Sequence, residues 1–153
     1  MPLVTSEKML LDARKGGYAV GAFNVENMEM VKAVIAAAEE LNAPVMLQTT
    51  PSTVKYASLD MYAAMVAAEA KKAKVPVCLH LDHGSSYELA IAAMEAGYTS
   101  VMIDGSHESF EDICKQYLWS LLLTGKCAID FTDIGRWWGT NPKTRGQVEI
   151  DIM

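Results

Sequence analysis

An α/β fold built on a parallel sheet is predicted by three features of the sequence. Short apolar runs begin near residues 18, 44, 76 and 98. Longer stretches with apolar residues at helical spacing separate them. Polar side chains gather where the apolar runs end: Asn24, Gln48 to Thr50, Asp82-His83 and Asp104 to His107. Strand-helix-strand crossovers need this spacing, and strands covered on both faces read as continuous apolar runs such as Val75-Pro-Val-Cys-Leu79. In parallel α/β folds the carboxyl ends of the strands are where ligands bind.

The elements follow in order. Thr5 or Ser6 is placed to cap a first helix running to about Lys15, which Gly16-Gly17 ends. Tyr18 to Phe23 reads as a buried strand. Asn24 and Asn27 offer capping groups for a helix carrying Met28, Val31, Val34, Ile35, Ala38 and Leu41. Pro44 to Gln48 is the second strand, and Thr49 to Thr53 reads as a polar loop. Leu59 to Lys72 is an alanine-rich helix with Tyr62, Val66 and Ala70 on one face. Pro76 to Asp82 is the third strand. Ser85 or Ser86 starts a helix that Gly97 stops, and Tyr98 to Asp104 is the fourth strand. Methionines such as Met28, Met30, Met61, Met65 and Met94 read as core filling. Lys71-Lys72-Ala73-Lys74 reads as a solvated helix end.

After Ile113 the alternation fails. Trp119, Trp137 and Trp138 all lie in this stretch, and Asn141 to Gly146 reads as an exposed turn. The division expected is therefore 1–113 and a divergent tail, 114–153.

Composition narrows the function. The 153 residues are 51% hydrophobic and 21% charged, as expected of one soluble domain with a sizeable core. Thirteen basic against 19 acidic residues give a net charge of -6, which disfavours nucleic acid or an anionic membrane as partner. Cys78, Cys114 and Cys127 form no CxxC or zinc-ribbon spacing, which points to a reducing compartment. No secretory signal is expected from MPLVTSEKML, and no apolar run approaches the roughly 18–20 residues of a membrane span.

His80-Leu-Asp-His-Gly84 is the sharpest chemical signal. A carboxylate and an imidazole stand side by side at a strand end, followed by a glycine that lets the chain turn. Zinc takes such ligands from a rigid base, and a neighbouring carboxylate serves as acid, base or orienter. The plainer alternative makes Asp82 a helix cap and His83 a surface residue. His80 shares strand parity with Cys78 and Asp82, which favours a hydrogen-bonded packing role over ligation. Asp104-Gly-Ser-His107 offers amides for a phosphate or a carboxylate for a metal; the alternative is a capped turn. Gln48 to Thr53 is a hydroxyl-rich edge that suits a sugar or phosphate, or is simply a loop. No GxGxxG, Walker A or GxSxG pattern occurs.

Gly21-Ala-Phe-Asn-Val25, Pro44 to Thr50, His80 to Gly84 and Ser100 to Ser106 occur in this order and at these separations. Together they make residues 1–113 resemble the class II, zinc-dependent ketose-bisphosphate aldolases. The resemblance implies the first four units of a (β/α)8 barrel. It implies that His83 is a zinc ligand, that Asp104 lies near the metal, and that Asp82 exchanges a proton with the substrate's C4 hydroxyl. It implies substrate contacts from Asn24 and Thr50. The implied reaction is reversible cleavage of a fructose or tagatose 1,6-bisphosphate to dihydroxyacetone phosphate and glyceraldehyde 3-phosphate, with Zn2+ as Lewis acid. Cytoplasmic homo-oligomers are implied as well.

A complete barrel takes roughly 250 residues. The family draws two further histidine ligands from its second half, and here no histidine follows His107. The alternative expectation is therefore an inactive truncated fragment, an assembly partner of a full-length aldolase, with residues 114–153 divergent or out of frame.

Overall fold

In the computed structural model, four short strands lie side by side and point the same way. The structure describes residues 3–104, Ser109 and the backbone of 148–150. The strands are β1 (Gly21–Asn24), β2 (Val45–Thr49), β3 (Val77–Gly84) and β4 (Ser100–Ile103). Their order is sequential and every adjoining pair is parallel. A fifth strand, β5 (Val148–Ile150), pairs antiparallel with the outer edge of β4. The rest of the expected tail lies outside the described residues, with Cys114, Cys127 and the three tryptophans.

Helices α1 (Ser6–Gly16), α2 (Met28–Glu40), α3 (Pro51–Ala57), α4 (Leu59–Ala70) and α5 (Tyr87–Ala96) complete the described elements. Side chains alternate across each strand. Val45, Leu47, Val77, Leu79, Leu81, Val101 and Ile103 face the helices and form one core with Val31, Ile35, Tyr62, Val66 and Ala93. Each fully buried leucine there contributes about 1.5–3 kcal/mol. The opposite face carries Met46 and Cys78, which pack on Met9 of α1. Val4 N–H donates to the Val77 carbonyl at 2.9 Å, fixing α1 across the amino end of the sheet.

Helix ends follow the sequence closely. Asn27 caps α2 by accepting from Met30 N–H at 2.9 Å, and Ser86 caps α5 at 3.2 Å. Asn24 does not cap; it ends β1. Thr5 precedes α1 without a side-chain cap bond. Gly97 closes α5 at φ 104, a left-handed conformation that suits glycine. Tyr62, Val66 and Ala70 are buried as expected.

Three expectations are corrected. Thr49 to Thr53 is not all loop, because Pro51 opens α3, and proline is pre-set for the first turn of a helix. The first strand is not buried: all four residues of β1 are exposed, since β1 forms the edge of the sheet. Met28, Met30 and Met61 are exposed rather than core-filling, while Met65 and Met94 pack partly against the core. Among the described residues, no helix is long and apolar enough to cross a membrane.

Candidate functional site

Sequential parallel pairing puts the carboxyl ends of β1 to β4 at one edge of the sheet, so Asn24, Gln48, Asp82 and Asp104 arrive there together. Gln48 joins two of them. Its Nε2 donates to Asn24 Oδ1 at 2.7 Å and to Asp82 Oδ2 at 2.8 Å. One amide thus fixes the asparagine and one oxygen of the carboxylate, and leaves Asp82 Oδ1 facing His83.

His83 reaches this face through a break in the strand. The β3–β4 register shifts between Leu81 and Gly84, which bulges Asp82 and His83 out of the ladder. His83 takes φ 52, a left-handed conformation that costs a non-glycine residue about 1 kcal/mol. Gly84 does not turn the chain as expected. It continues the strand, and its carbonyl accepts from Asp104 N–H at 2.8 Å. A Cβ there would lie 2.6 Å from the Met102 carbonyl oxygen, so only glycine fits.

The bulge aims the imidazole at β4. His83 Nδ1 lies 2.9 Å from Asp104 Oδ2, and Nε2 lies 3.8 Å from Asp82 Oδ1, beyond hydrogen-bond range. The bond to Asp104 holds the imidazole above its ordinary 6.5; burial opposes this and the nearby Asp82 charge adds to it. With Nδ1–H directed at Asp104, the neutral ring keeps its Nε2 lone pair for another partner.

His80 is buried on the same face, its Nδ1 2.8 Å from Ser100 Oγ. Ser6 Oγ of α1 donates to that same Ser100 oxygen at 3.1 Å. His80 is therefore part of the hydrogen-bonded packing that ties β3, β4 and α1 together beneath the edge.

Thr50 stands one residue beyond β2. Its hydroxyl lies 2.8 Å from Ser52 Oγ and 3.1 Å from Thr53 Oγ1, and Thr53 donates to Glu26 Oε1 at 2.9 Å. Asn24, Asp82, His83 and Asp104 are thus brought together, and Thr50 is engaged in the neighbouring hydroxyl cluster. Gln48, the bridge, was visible only as part of a polar edge. Its signal was positional: like Asn24 and Asp82, it ends an apolar strand. Gly105, Ser106 and His107, offered for phosphate contact, lie outside the described residues.

Imidazole nitrogen and carboxylate oxygen are ordinary zinc donors. Among the described residues, no group of three or more His, Cys, Asp or Glu is placed to hold a metal ion. The edge offers donor types that zinc accepts, one imidazole and two carboxylates, but no such group among the described residues.

A family model described as "Fructose-bisphosphate aldolase class-II" matches residues 4–118. A second, described as "Archaea bacterial proteins of unknown function", matches residues 91–153. A fructose-bisphosphate aldolase of Thermus caldophilus is 51% identical over 109 residues, 71% of this chain and 35% of the relative. One of Helicobacter pylori is 46% identical over 111 residues, 72% of this chain and 36% of the relative. The crystal structure of the YdjI aldolase from Escherichia coli K12 superposes with a TM-score of 0.74 at 34% identity, covering 80% of this chain and 47% of that one. The chain thus spans about a third of the length of these two curated relatives.

Proposed function

The chain belongs to the class-II fructose-bisphosphate aldolase family, and on that premise we propose that its strand edge is the amino-terminal side of a zinc-dependent aldolase site. It forms the first four units of a (β/α)8 barrel. The proposed reaction is reversible cleavage of fructose 1,6-bisphosphate to dihydroxyacetone phosphate and glyceraldehyde 3-phosphate, with the tagatose epimer as the other candidate substrate. The observation that carries the proposal is the convergence of the Asn24–Gln48–Asp82 bridge and the His83–Asp104 pair on one edge.

In the cleavage direction Asp82 receives the C4 hydroxyl proton at the oxygen that Gln48 leaves open. The C3–C4 bond breaks, C4 becomes the aldehyde carbon of glyceraldehyde 3-phosphate, and the bond pair stays with the ketone fragment. In condensation the same oxygen returns the proton. Asn24, held by Gln48, contacts the substrate, and Thr50 contacts it from the hydroxyl cluster. His83 would hold zinc through Nε2, and Asp104 would fix the ring from behind. Zinc bound there would supply Lewis-acid polarisation of the ketone.

A catalytic zinc site takes about three protein ligands. The described residues offer one imidazole with carboxylates, and this favours a second reading: the chain alone is inactive and serves as an assembly partner of a longer aldolase. The end of the class-II match at residue 118 supports the division into an aldolase part, 1–113, and a divergent tail, 114–153. Doubly phosphorylated sugars do not cross membranes unaided, which supports a cytoplasmic location.

A coupled aldolase assay on the purified chain, with and without zinc, separates the readings. Zinc-dependent turnover that Asp82→Asn abolishes while zinc binding persists establishes the catalytic reading. Zinc binding at His83 without turnover establishes the inactive half-site, and loss of both rejects the proposed site.

A further inference from the structure

We propose that β5 is a displaceable strap: it holds the place on β4 that a fifth barrel strand takes, so this chain joins the carboxyl-terminal half of a longer aldolase only after β5 has left. The proposal rests on the reading of β1 to β4 as the first four units of a barrel.

β5 is not itself the next barrel strand. Every strand of a (β/α)8 barrel runs parallel to its neighbours. β1 to β4 keep that rule at each pairing. β5 breaks it. It pairs antiparallel, with Val101 opposite Ile150, Met102 opposite Glu149 and Ile103 opposite Val148.

The place it takes is the one a barrel needs. A strand has two edges, and one edge of β4 is bonded to β3. A parallel sheet continues past β4 only from the other edge. There β5 pairs with Val101, Met102 and Ile103 of the strand Ser100–Ile103. All four residues of β4 are buried, as in an interior strand. One edge does not pair with two strands at once, so β5 and a fifth barrel strand exclude each other.

Exchange costs little backbone bonding. An incoming strand replaces the bonds of the short β5 ladder one for one, as in strand addition generally. Its crossover helix then adds apolar burial that a lone three-residue strand lacks. The β4–β5 pairs do not include Asp104, whose carboxylate holds His83. The strap therefore acts on assembly, and the zinc half-site has its own test.

Two full-chain variants test the proposal. Glu149→Pro removes a backbone N–H from the middle of β5. Met102→Cys with Glu149→Cys places two thiols at opposed positions. The Cα atoms of such antiparallel pairs lie about 4.5–5.5 Å apart, within disulfide range. The probe is the carboxyl-terminal part of the Thermus caldophilus aldolase, beyond the segment that this chain matches. Binding is followed by sedimentation velocity. Glu149→Pro is expected to bind the probe at least about tenfold more tightly than the parent, because the fraction of chains with a free β4 edge sets the apparent affinity. The cysteine pair is expected to form a disulfide, identified by peptide mass, that abolishes binding until a reductant restores it. Equal binding by the parent and Glu149→Pro overturns the proposal. So does binding by the oxidised pair, failure of the disulfide to form, or no binding by any form. The reduced pair controls for folding. Zinc and turnover enter none of these outcomes, so the catalytic proposal stands or falls separately.

Discussion

Replacing Gly84 with alanine would put a methyl carbon 2.6 Å from the Met102 carbonyl oxygen and 3.1 Å from Leu81 Cδ2. The leucine can rotate away, but the carbonyl is backbone of the paired strand. β3 and β4 must part by about half an ångström or more before the contact becomes ordinary. Forced packing of this kind costs roughly 1–3 kcal/mol. The parting also strains the 2.8 Å bond from Asp104 N–H to the Gly84 carbonyl, a further loss of about 1 kcal/mol. The sum, about 2–4 kcal/mol, is a large share of the 5–15 kcal/mol that ordinarily holds a domain together. Urea unfolding followed by far-ultraviolet circular dichroism reads it directly. With a slope near 1.5 kcal/mol/M, the midpoint falls by roughly 1.3–2.7 M. His83 lies in the bulge and Asp104 follows β4 opposite it, so the same variant separates the pair and lets the His83 pKa fall toward its ordinary value. A midpoint within about 0.3 M of the parent would refute the close-approach argument.

Asp104→Asn removes the carboxylate bonded to His83 Nδ1, and nuclear magnetic resonance titration is expected to show the His83 pKa falling toward 6.5. The sign follows from linkage: the folded value lies above the unfolded one, so the pair stabilises the fold fully below pH 6.5. The contribution is lost as pH rises through the folded value. An unchanged titration in the variant would contradict the assignment. Gln48→Met keeps bulk but leaves Asp82 Oδ2 and Asn24 Oδ1 without the bridge, and a loss of about 1–3 kcal/mol is expected in chemical denaturation. Stability equal to the parent would mean that the bridge is idle. Tyr98 is buried, which pushes its phenol up to about 12 despite the hydroxyl bond to Thr49 at 2.9 Å. Its folded value exceeds the ordinary 10, so stability falls as pH rises from 10 to 12, and ultraviolet titration should show an ionisation near 12 that Tyr98→Phe removes.

Periodicity carried most of the fold. Ser86, Asn27 and Gly97 mark helix ends through chemistry that acts within a few residues, and such signals are legible in one dimension. The burial of β1 was misread because apolar alternation reports what a strand is able to bury, whereas the neighbours it finds decide what is buried. Pro51 was read as loop punctuation, although the same fixed φ that breaks a helix interior opens a first turn. At the site, Asp82 and His83 stood out as adjacent ionisable groups. The bulge at Asp82-His83 did not, because it shows only in the register that β3 keeps with β4. Gln48 was legible as a polar strand-end residue but its bridging role was not, since its partners lie 24 and 34 residues away and only the sheet register joins them.

The most direct test of the central claim is a zinc titration of the full chain, watched through the His83 imidazole resonances. Zinc held at this edge would shift the His83 signals saturably and release a proton, and His83→Ala would abolish the effect while leaving the His80 signals of the fold in place. His83 resonances that stay fixed while zinc binds elsewhere, or does not bind, would contradict the assignment of this edge as half of an aldolase metal site.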